Sequence, residues 1–132
     1  MMSGKKVLVV DDEIHIIHVV AIKLRNNGYE VISAENGIEA FELACEEKPD
    51  IIVTDFQMPV MTGVELVRKL RENEATKDIP VIMLTARGFA IEDEQKEELR
   101  ISEFLSKPFS PKELLRSIED LLYQKTVVES QG

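Results

Sequence analysis

Acidic side chains follow two short aliphatic runs of this sequence, and three of them are placed to form one site. Asp11 and Asp12 come directly after the run at residues 7–10, and Asp55 comes after the run that starts at Ile51. Carboxylates held within a few ångströms repel each other and raise one another's pKa. A hard divalent cation relieves that repulsion, and Mg²⁺ suits carboxylate and carbonyl oxygens together with water. The three aspartates therefore predict a magnesium site, for which Mn²⁺ is the alternative ion.

A hydroxyl group and a lysine stand at the ends of two further runs. Thr85 ends the run that starts at Val81, and Lys107 follows residues 104–106. An ammonium group beside a hydroxyl donor favours an anion, most naturally a phosphoryl group. Together with the carboxylates, these residues predict metal-assisted phosphoryl chemistry in which an aspartate is the nucleophile.

The elements that must bring these residues together follow from the hydrophobic pattern. Three aliphatic runs, at residues 7–10, 51–54 and 81–84, do not alternate with polar residues, which is typical of strands covered on both faces. Two weaker runs lie at residues 29–32 and 104–106. Apolar residues at helical spacing separate the runs, so strand and helix alternate five times. This order predicts an α/β fold, a doubly wound parallel sheet of five strands with its ligand site beyond the carboxyl ends of the strands.

Five helices are predicted between and after these strands. They cover residues 14–24, 38–45, 64–70, 91–99 and 114–122. The last begins at Ser110 and Pro111, a cap and a first-turn residue. The fourth has the poorest pattern, because it has few apolar positions and many acids.

Composition limits the classes of partner. A chain of 132 residues is one ordinary domain, and 16 Lys and Arg against 25 Asp and Glu give a net charge of −9. That charge argues against direct binding to nucleic acid or to an anionic membrane surface. The single cysteine, Cys45, cannot form an internal disulfide, so we expect a reducing, cytoplasmic setting. No segment has the length of a membrane span, so membrane insertion is not expected.

In this order, each at a strand end, the motifs resemble the receiver domains of bacterial two-component response regulators. The matching segments are residues 9–13, 55–63, 85–86 and 107–109, and the resemblance runs from about residue 5 to residue 123. It implies a flavodoxin-like (βα)5 fold, with a receiver domain over residues 1–125 and a C-terminal tail over residues 126–132.

The resemblance implies that Asp55 is the phosphoacceptor. Its phosphoryl group would come from the phosphohistidine of a sensor histidine kinase or from a phosphotransfer protein. Asp12, Asp55 and the backbone carbonyl of Gln57 would hold Mg²⁺, with Asp11 nearby through water. Such a domain is not an enzyme beyond self-phosphorylation from small donors and autodephosphorylation.

The same resemblance implies roles for the remaining site residues. Lys107 pairs with the carboxylate and then with the phosphoryl oxygens, and the Thr85 hydroxyl and the Ala86 amide bind the others. The Lys107-Pro108 peptide bond is cis in many relatives. Thr85 and Phe104 are the switch residues, whose movement changes the face formed by helix 4, strand 5 and helix 5. An output protein would dock on that face, and the domain would be a monomer or a weak dimer.

Some positions depart from the family pattern. Arg100 and Ile101 stand where the family usually has Gly-Ala, so we expect helix 4 to be less well capped. Acids outnumber basic residues six to two over residues 91–103, which suggests an output partner with a basic patch. Gln57 and Arg87 occupy the two positions that in this family tune the lifetime of the acyl phosphate.

Other functions differ at specific positions. A haloacid-dehalogenase-type phosphatase has an acid two residues after its nucleophile, where this sequence has Gln57. A flavin or nucleotide module needs a phosphate-binding loop after strand 1, where Asp11 and Asp12 would repel phosphate. His15 and His18 are spaced for a metal pair on helix 1 but lack an obvious third ligand. A receiver without an output domain is either a stand-alone protein or a fragment of a larger response regulator or hybrid kinase.

Overall fold

The computed structural model describes residues 4–86 and 93–131, with the side chains of residues 4–86 and 96–123. Strands and helices alternate along the described chain, as the hydrophobic pattern predicts. The elements are β1 (Lys6–Val10), α1 (Ile14–Arg25), β2 (Glu30–Ala34), α2 (Gly37–Glu47), β3 (Ile51–Asp55), α3 (Gly63–Glu72), β4 (Val81–Thr85), α4 (Asp93–Leu99), β5 (Glu103–Ser106) and α5 (Pro111–Gln131).

The strands form one parallel sheet in the order β2-β1-β3-β4-β5. The three strongest runs of the sequence occupy its three central strands, and every residue of β3 and β4 is buried. Continuous aliphatic strands suit this position because helices cover both faces of the sheet. The predicted doubly wound α/β fold is confirmed.

Two hydrophobic cores lie on opposite faces of the sheet. Alternate residues of a strand point to opposite faces, so Val7 and Val9 enter one core while Leu8 and Val10 enter the other. Helices α1 and α5 cover the first face, and α2, α3 and α4 cover the second. This layering leaves the carboxyl edge of the sheet open for a site.

Some predicted boundaries and buried faces differ from the structure. Strand β2 covers Glu30–Ala34 rather than residues 29–32. Ile14 and Ile38, which fit the helical spacing, are exposed. The buried face of α2 instead contains Ala40 and Ala44, and Cys45 is only partly buried. Short alanine side chains satisfy the same helical period while letting the helix lie close to the sheet.

The start of α5 agrees with the sequence prediction, but its end does not. Ser110 caps α5 as predicted, since its hydroxyl oxygen accepts a hydrogen bond from the Glu113 amide at 3.0 Å. The helix continues through Gln131, so it includes most of the segment assigned to a C-terminal tail. The domain boundary at residue 125 stays a prediction. The predicted start of helix 4 at residue 91 and the side chain of Arg87 lie outside the described residues.

Helix α4 ends without glycine, as the sequence shows, and its terminal carbonyls are satisfied by a side chain from another helix. Arg100 adopts φ of 53°, the left-handed conformation for which glycine is the usual choice at this position. The Arg71 guanidinium donates hydrogen bonds to the carbonyl oxygens of Leu99 and Arg100, at 2.7 and 3.2 Å. A side chain from α3 thus satisfies carbonyls at the end of α4.

None of the helices in the described residues combines the length and apolar character needed to cross a membrane.

Candidate functional site

Three carboxylates meet at the carboxyl edge of the sheet. β1 and β3 pair side by side, with Val10 beside Thr54, so the residues that follow them are neighbours. Oxygen atoms from Asp11, Asp12 and Asp55 all lie within 4.8 Å of one another. Asp11 is fully buried and Asp55 is 6% exposed, whereas Asp12 faces solvent. The structure therefore brings together the three aspartates that the sequence predicts for a metal site.

Lys107 supplies a positive charge to this cluster. Its Nζ lies 3.1 Å from Asp11 Oδ2, 3.4 Å from Asp55 Oδ2 and 3.6 Å from Glu13 Oε1. The lysine follows β5 and precedes a cis peptide bond to Pro108. Its backbone amide donates to the Thr85 carbonyl at 2.7 Å, which ties the loop to β4.

Asp11 is held by protein donors at both oxygens. Its Oδ1 accepts a hydrogen bond from the Glu13 amide at 2.9 Å, and its Oδ2 accepts one from Lys107. The first bond turns the chain from β1 into α1, because an aspartate that accepts from the amide two residues later favours a turn. Asp11 is thus both a turn residue and a member of the site.

Ala86 and Gln57 line the cleft of this site, whereas Thr85, the residue before Ala86, is not among its lining residues. Thr85 is the last residue of β4 and is buried, with its hydroxyl 3.5 Å from the Leu105 carbonyl oxygen. The cleft, about 550 Å³ in volume, is lined by Gln57 and Ala86 together with Asp12, Asp55 and Lys107. Its lining combines acidic oxygens with one ammonium group.

Phe104 lies on β5 beside Met83 of β4, two residues before the partner of Thr85. The ring is partly buried and packs against the core of the α2, α3 and α4 face. The Lys96 ammonium stands 5.3 Å from the ring centroid. The two residues predicted as the switch pair therefore occupy adjacent strands.

Burial and charge both perturb the site. The pKa of Asp55 is raised to about 6, chiefly by burial and then by the charge of Asp11, while Lys107 acts in the opposite direction. Burial also raises the pKa of Asp11. Burial alone would lower the pKa of Lys107, but its hydrogen bond to Asp11 and the neighbouring carboxylates raise it overall. Mutual repulsion was predicted from the sequence, and removal from water proves the larger cause.

The raised pKa of Asp55 makes the metal-free protein less stable at neutral pH than at mildly acidic pH. The folded state holds a proton on Asp55 more tightly than the unfolded state, whose carboxyl has a pKa near 3.8. Stability from this group is therefore lost as pH rises from about 4 towards 6 and beyond. We expect the free energy of unfolding to be about 1 kcal/mol lower at pH 7 than at pH 5 from this group. Urea unfolding of the metal-free protein at pH 5 and pH 7 measures this difference in the free energy of unfolding. Asp55→Asn should reduce the difference, and an unchanged difference in the variant would contradict the assignment to Asp55.

The loop from β3 to α3 lies in the matching segment at residues 55–63, but the sequence did not reveal its backbone conformation. Val60 has φ of 72° and is 80% exposed, and the Met61 amide donates to the Pro59 carbonyl at 2.8 Å. A β-branched residue is rarely found at positive φ. Thr62 and Glu65 form a capping box at the start of α3, a pattern that could have been found in the sequence.

A second groove, about 570 Å³, adjoins the site between α1 and the segment after β5. Its lining is mainly apolar and includes Ile16, Val19, Pro108 and Phe109. His15 also lines this groove. Among the described residues, the side chains that lie close enough together to hold a metal ion are Asp11, Asp12 and Asp55, and neither histidine belongs to that group. The sequence spacing of the two histidines does not build a metal site.

The parallel sheet with helices on both faces defines an α/β domain. Its acidic cluster and Lys107 lie beyond the carboxyl ends of the strands, where such domains bind ligands. The sequence profile of the response regulator receiver domain matches residues 7–119. The chain belongs to this family, whose members are phosphoacceptor switches of two-component signalling and not classical enzymes.

Curated relatives are longer than this chain. The phosphate regulon transcriptional regulatory protein PhoB of Pseudomonas aeruginosa is 41% identical over 121 residues, which are 92% of this chain and 53% of that protein. The alkaline phosphatase synthesis transcriptional regulatory protein PhoP of Bacillus subtilis is 37% identical, over 94% of this chain and 51% of that protein. The chain spans about half the length of these relatives.

Solved structures match over nearly their full length. The chemotaxis response regulator CheY4 of Vibrio cholerae has a TM-score of 0.82 and 36% identity, with 89% of this chain and 98% of that chain covered. The receiver domain of the sensor histidine kinase PA1611 from Pseudomonas aeruginosa has a TM-score of 0.81 and 30% identity, covering 91% of this chain and 98% of that one. That structure has a magnesium ion coordinated in the active site cleft.

Proposed function

We propose that Asp55 accepts the phosphoryl group, taken from the phosphohistidine of a sensor histidine kinase or a phosphotransfer protein. The observation that carries the proposal is the nearly buried Asp55 carboxylate, 3.4 Å from Lys107 Nζ at the open edge of the sheet. An Asp55 oxygen forms the new bond to phosphorus, the bond between phosphorus and nitrogen breaks, and imidazole leaves. The aspartyl phosphate then carries the signal.

The residues present fit Mg²⁺. Three carboxylates and one ammonium group leave the cluster with an excess of negative charge, and hard oxygen ligands suit this ion. Asp12, Asp55 and the backbone carbonyl of Gln57 would hold it, with Asp11 linked through water. Bound Mg²⁺ would neutralise the carboxylates and draw charge from the phosphoryl oxygens. Nothing in the site favours Mn²⁺, and the similar PA1611 receiver holds magnesium.

Three further residues stabilise the transferred group. The Lys107 ammonium stays within reach of Asp55 and pairs with a phosphoryl oxygen. The Thr85 hydroxyl and the Ala86 amide, at the end of the neighbouring strand, donate to other oxygens. Lys107 and Ala86 already line the cleft, whereas the Thr85 hydroxyl would turn from the Leu105 carbonyl towards the phosphoryl group, as its switch role requires.

The test is intact mass spectrometry after incubation with acetyl phosphate, with and without Mg²⁺. We expect one phosphoryl adduct that requires Mg²⁺ and is absent from Asp55→Asn. Asp120→Asn, a change on the distant helix α5, is the matched control and should keep the adduct. An adduct that persists in Asp55→Asn would place the phosphoacceptor elsewhere, and repeated donor hydrolysis without an adduct would favour a phosphatase.

The output step is also proposed. Thr85 and Phe104 would transmit phosphorylation to the face of α4, β5 and α5, where a partner docks in the cytoplasm. Glu97, Glu98 and Glu103 contribute acidic groups to this region, which suits a partner with a basic patch. The curated relatives are transcriptional regulators about twice as long, so the partner is either a domain of the same protein or a separate one. We propose that this domain itself does not contact nucleic acid and is a monomer or a weak dimer.

A further inference from the structure

Arg71 lies near the end of α3 and has a role outside the acidic site. Its Nε donates to the Leu99 carbonyl at 2.7 Å and its Nη2 to the Arg100 carbonyl at 3.2 Å. Its Nη1 donates to the carbonyls of Lys77 and Ile79, at 2.9 and 2.7 Å. One side chain thus joins three segments: the end of α3, the approach to β4 and the carboxyl end of α4.

A guanidinium is suited to this junction. Its planar set of donors satisfies several carbonyls at once, which the single ammonium of lysine cannot reproduce. Carbonyls at a helix end lack partners within the helix and carry partial negative charge. Burial lowers the pKa of Arg71 to about 10, so the group remains charged at neutral pH.

A second arginine and an apolar anchor hold the same end of α4. Arg100 donates to the Lys77 carbonyl at 3.0 Å and lies 3.6 Å from Asp78 Oδ1. Leu99 is 1% exposed and belongs to the core of this face. The carboxyl end of α4 is therefore fixed to α3 and to the chain before β4.

The held segment leads directly to the switch residues. The Ser102 amide donates to the Val81 carbonyl at 2.9 Å, and β5 begins at the next residue with Phe104 one position further. The other end of β5 meets Thr85. Any rearrangement of α4 and β5 relative to α3 must loosen or carry along the contacts of Arg71.

We propose that Arg71 is a positioning residue of the switch, which holds the carboxyl end of α4 in its unphosphorylated arrangement and so opposes activation. This inference rests on the proposed phosphoacceptor function. A group that stabilises one of two states weakens the binding of any ligand that favours the other state, and by linkage its removal strengthens that binding.

The test compares wild type with Arg71→Lys, which keeps the positive charge but replaces the planar guanidinium with a single ammonium. Arg68→Lys makes the same chemical change one turn earlier on α3 and is the matched control. Hydrogen exchange of the free proteins should show roughly tenfold faster exchange over residues 99–103 in Arg71→Lys, because carbonyls at that junction lose donors. Beryllium fluoride with Mg²⁺, an inert analogue of the phosphoryl group, is then titrated while amide NMR signals are followed. Its half-saturating concentration should fall roughly threefold to tenfold in Arg71→Lys.

Each outcome decides the proposal. Faster exchange with unchanged or weaker binding of the analogue would overturn it, because Arg71 would then be structural alone. Unchanged exchange over residues 99–103 would overturn the claim that Arg71 holds α4. If wild type shows no response that depends on Asp55, the proposed phosphoacceptor function fails, and the exchange data still judge whether Arg71 holds the helix.

Discussion

Alanine at position 63 is expected to lower the free energy of unfolding by about 3 kcal/mol or more. Gly63 is the first residue of α3, and its amide donates to the Phe56 carbonyl at 2.8 Å. A Cβ there would press into the carbonyl oxygen of Asp55 and lie 3.1 Å from the Cα of Phe56 and 2.8 Å from the Met83 sulfur. Two of these atoms are backbone and cannot move aside alone. Urea unfolding measures the loss.

Gly37→Ala is the matched control for this prediction. Gly37 is the first residue of α2, as Gly63 is of α3, so any gain in helix propensity is the same for both substitutions. A Cβ at position 37 would meet the side chain of Met61, with Cβ, Cγ and Sδ at 2.8 to 2.9 Å. Met61 Cβ moves only with its backbone, but that backbone belongs to an exposed loop, which can shift more readily than a strand of the sheet, so the cost should be smaller. Equal unfolding midpoints for Gly63→Ala and wild type would contradict the tight approach of α3 to β3.

Gly63 also links stability to the proposed function, because it lies against the backbone of Asp55, the proposed phosphoacceptor. Folded Gly63→Ala must widen the space between β3 and α3, which moves Asp55 relative to Lys107. We therefore expect slower formation of the acetyl phosphate adduct in the fraction that stays folded. The same glycine thus fixes both the start of α3 and the position of the Asp55 carboxylate.

The central strands and the site were predictable because their signals are local. Continuous aliphatic runs specify strands buried on both faces, and parallel strands present their carboxyl ends at one edge. Asp55 and Lys107 are 52 positions apart yet meet, because each stands at the carboxyl end of a strand of the same sheet. Order and strand ends were enough to find the cluster, without any knowledge of distances.

The features that could not be predicted depend on contacts between distant segments. Nothing local to the Arg100-Ile101 pair reveals that Arg71, 29 positions earlier, satisfies the carbonyl of Arg100. Likewise, the apolar residues of α2 fit helical spacing on more than one face. Ala40 is the buried residue and Ile38 is exposed, a choice that depends on how the helix packs against the sheet. Burial as the main cause of the raised pKa of Asp55 also required the packed structure, since sequence shows charges but not the removal of water.

Replacement of Lys107 by methionine is expected to affect metal binding and phosphorylation in opposite directions. Lys107 is the ammonium partner of two nearly buried carboxylates, those of Asp11 and Asp55. Removing one partner of a buried ion pair costs about 3–5 kcal/mol, and protonation of a carboxylate would recover part of this. The metal-free variant should therefore melt at a lower temperature, and Mg²⁺ should raise its melting temperature more than that of wild type, because the ion meets less competition for the carboxylates.

Phosphorylation of the same variant should fall, by roughly a hundredfold if Lys107 acts as a typical preorganised donor to the phosphoryl oxygens. Loss of the ammonium also raises the pKa of Asp55 further, so less of the carboxylate is ionised at neutral pH in the absence of metal. Acetyl phosphate with intact mass detection measures the rate, and thermal unfolding with and without Mg²⁺ measures metal binding. Lys107→Arg keeps the positive charge and is the control, in which the gain in Mg²⁺ response should disappear.

The opposite signs separate an electrostatic role for Lys107 from a structural one. A lysine that merely holds the loop after β5 in place would disturb the carboxylates when removed, and both metal binding and phosphorylation would decline. A lysine with an electrostatic role competes with Mg²⁺ for the carboxylates. It then assists phosphorylation, because it pairs with the phosphoryl group. Joint loss of both responses in Lys107→Met would therefore refute the electrostatic role, whereas a larger Mg²⁺ response with slower phosphorylation requires it.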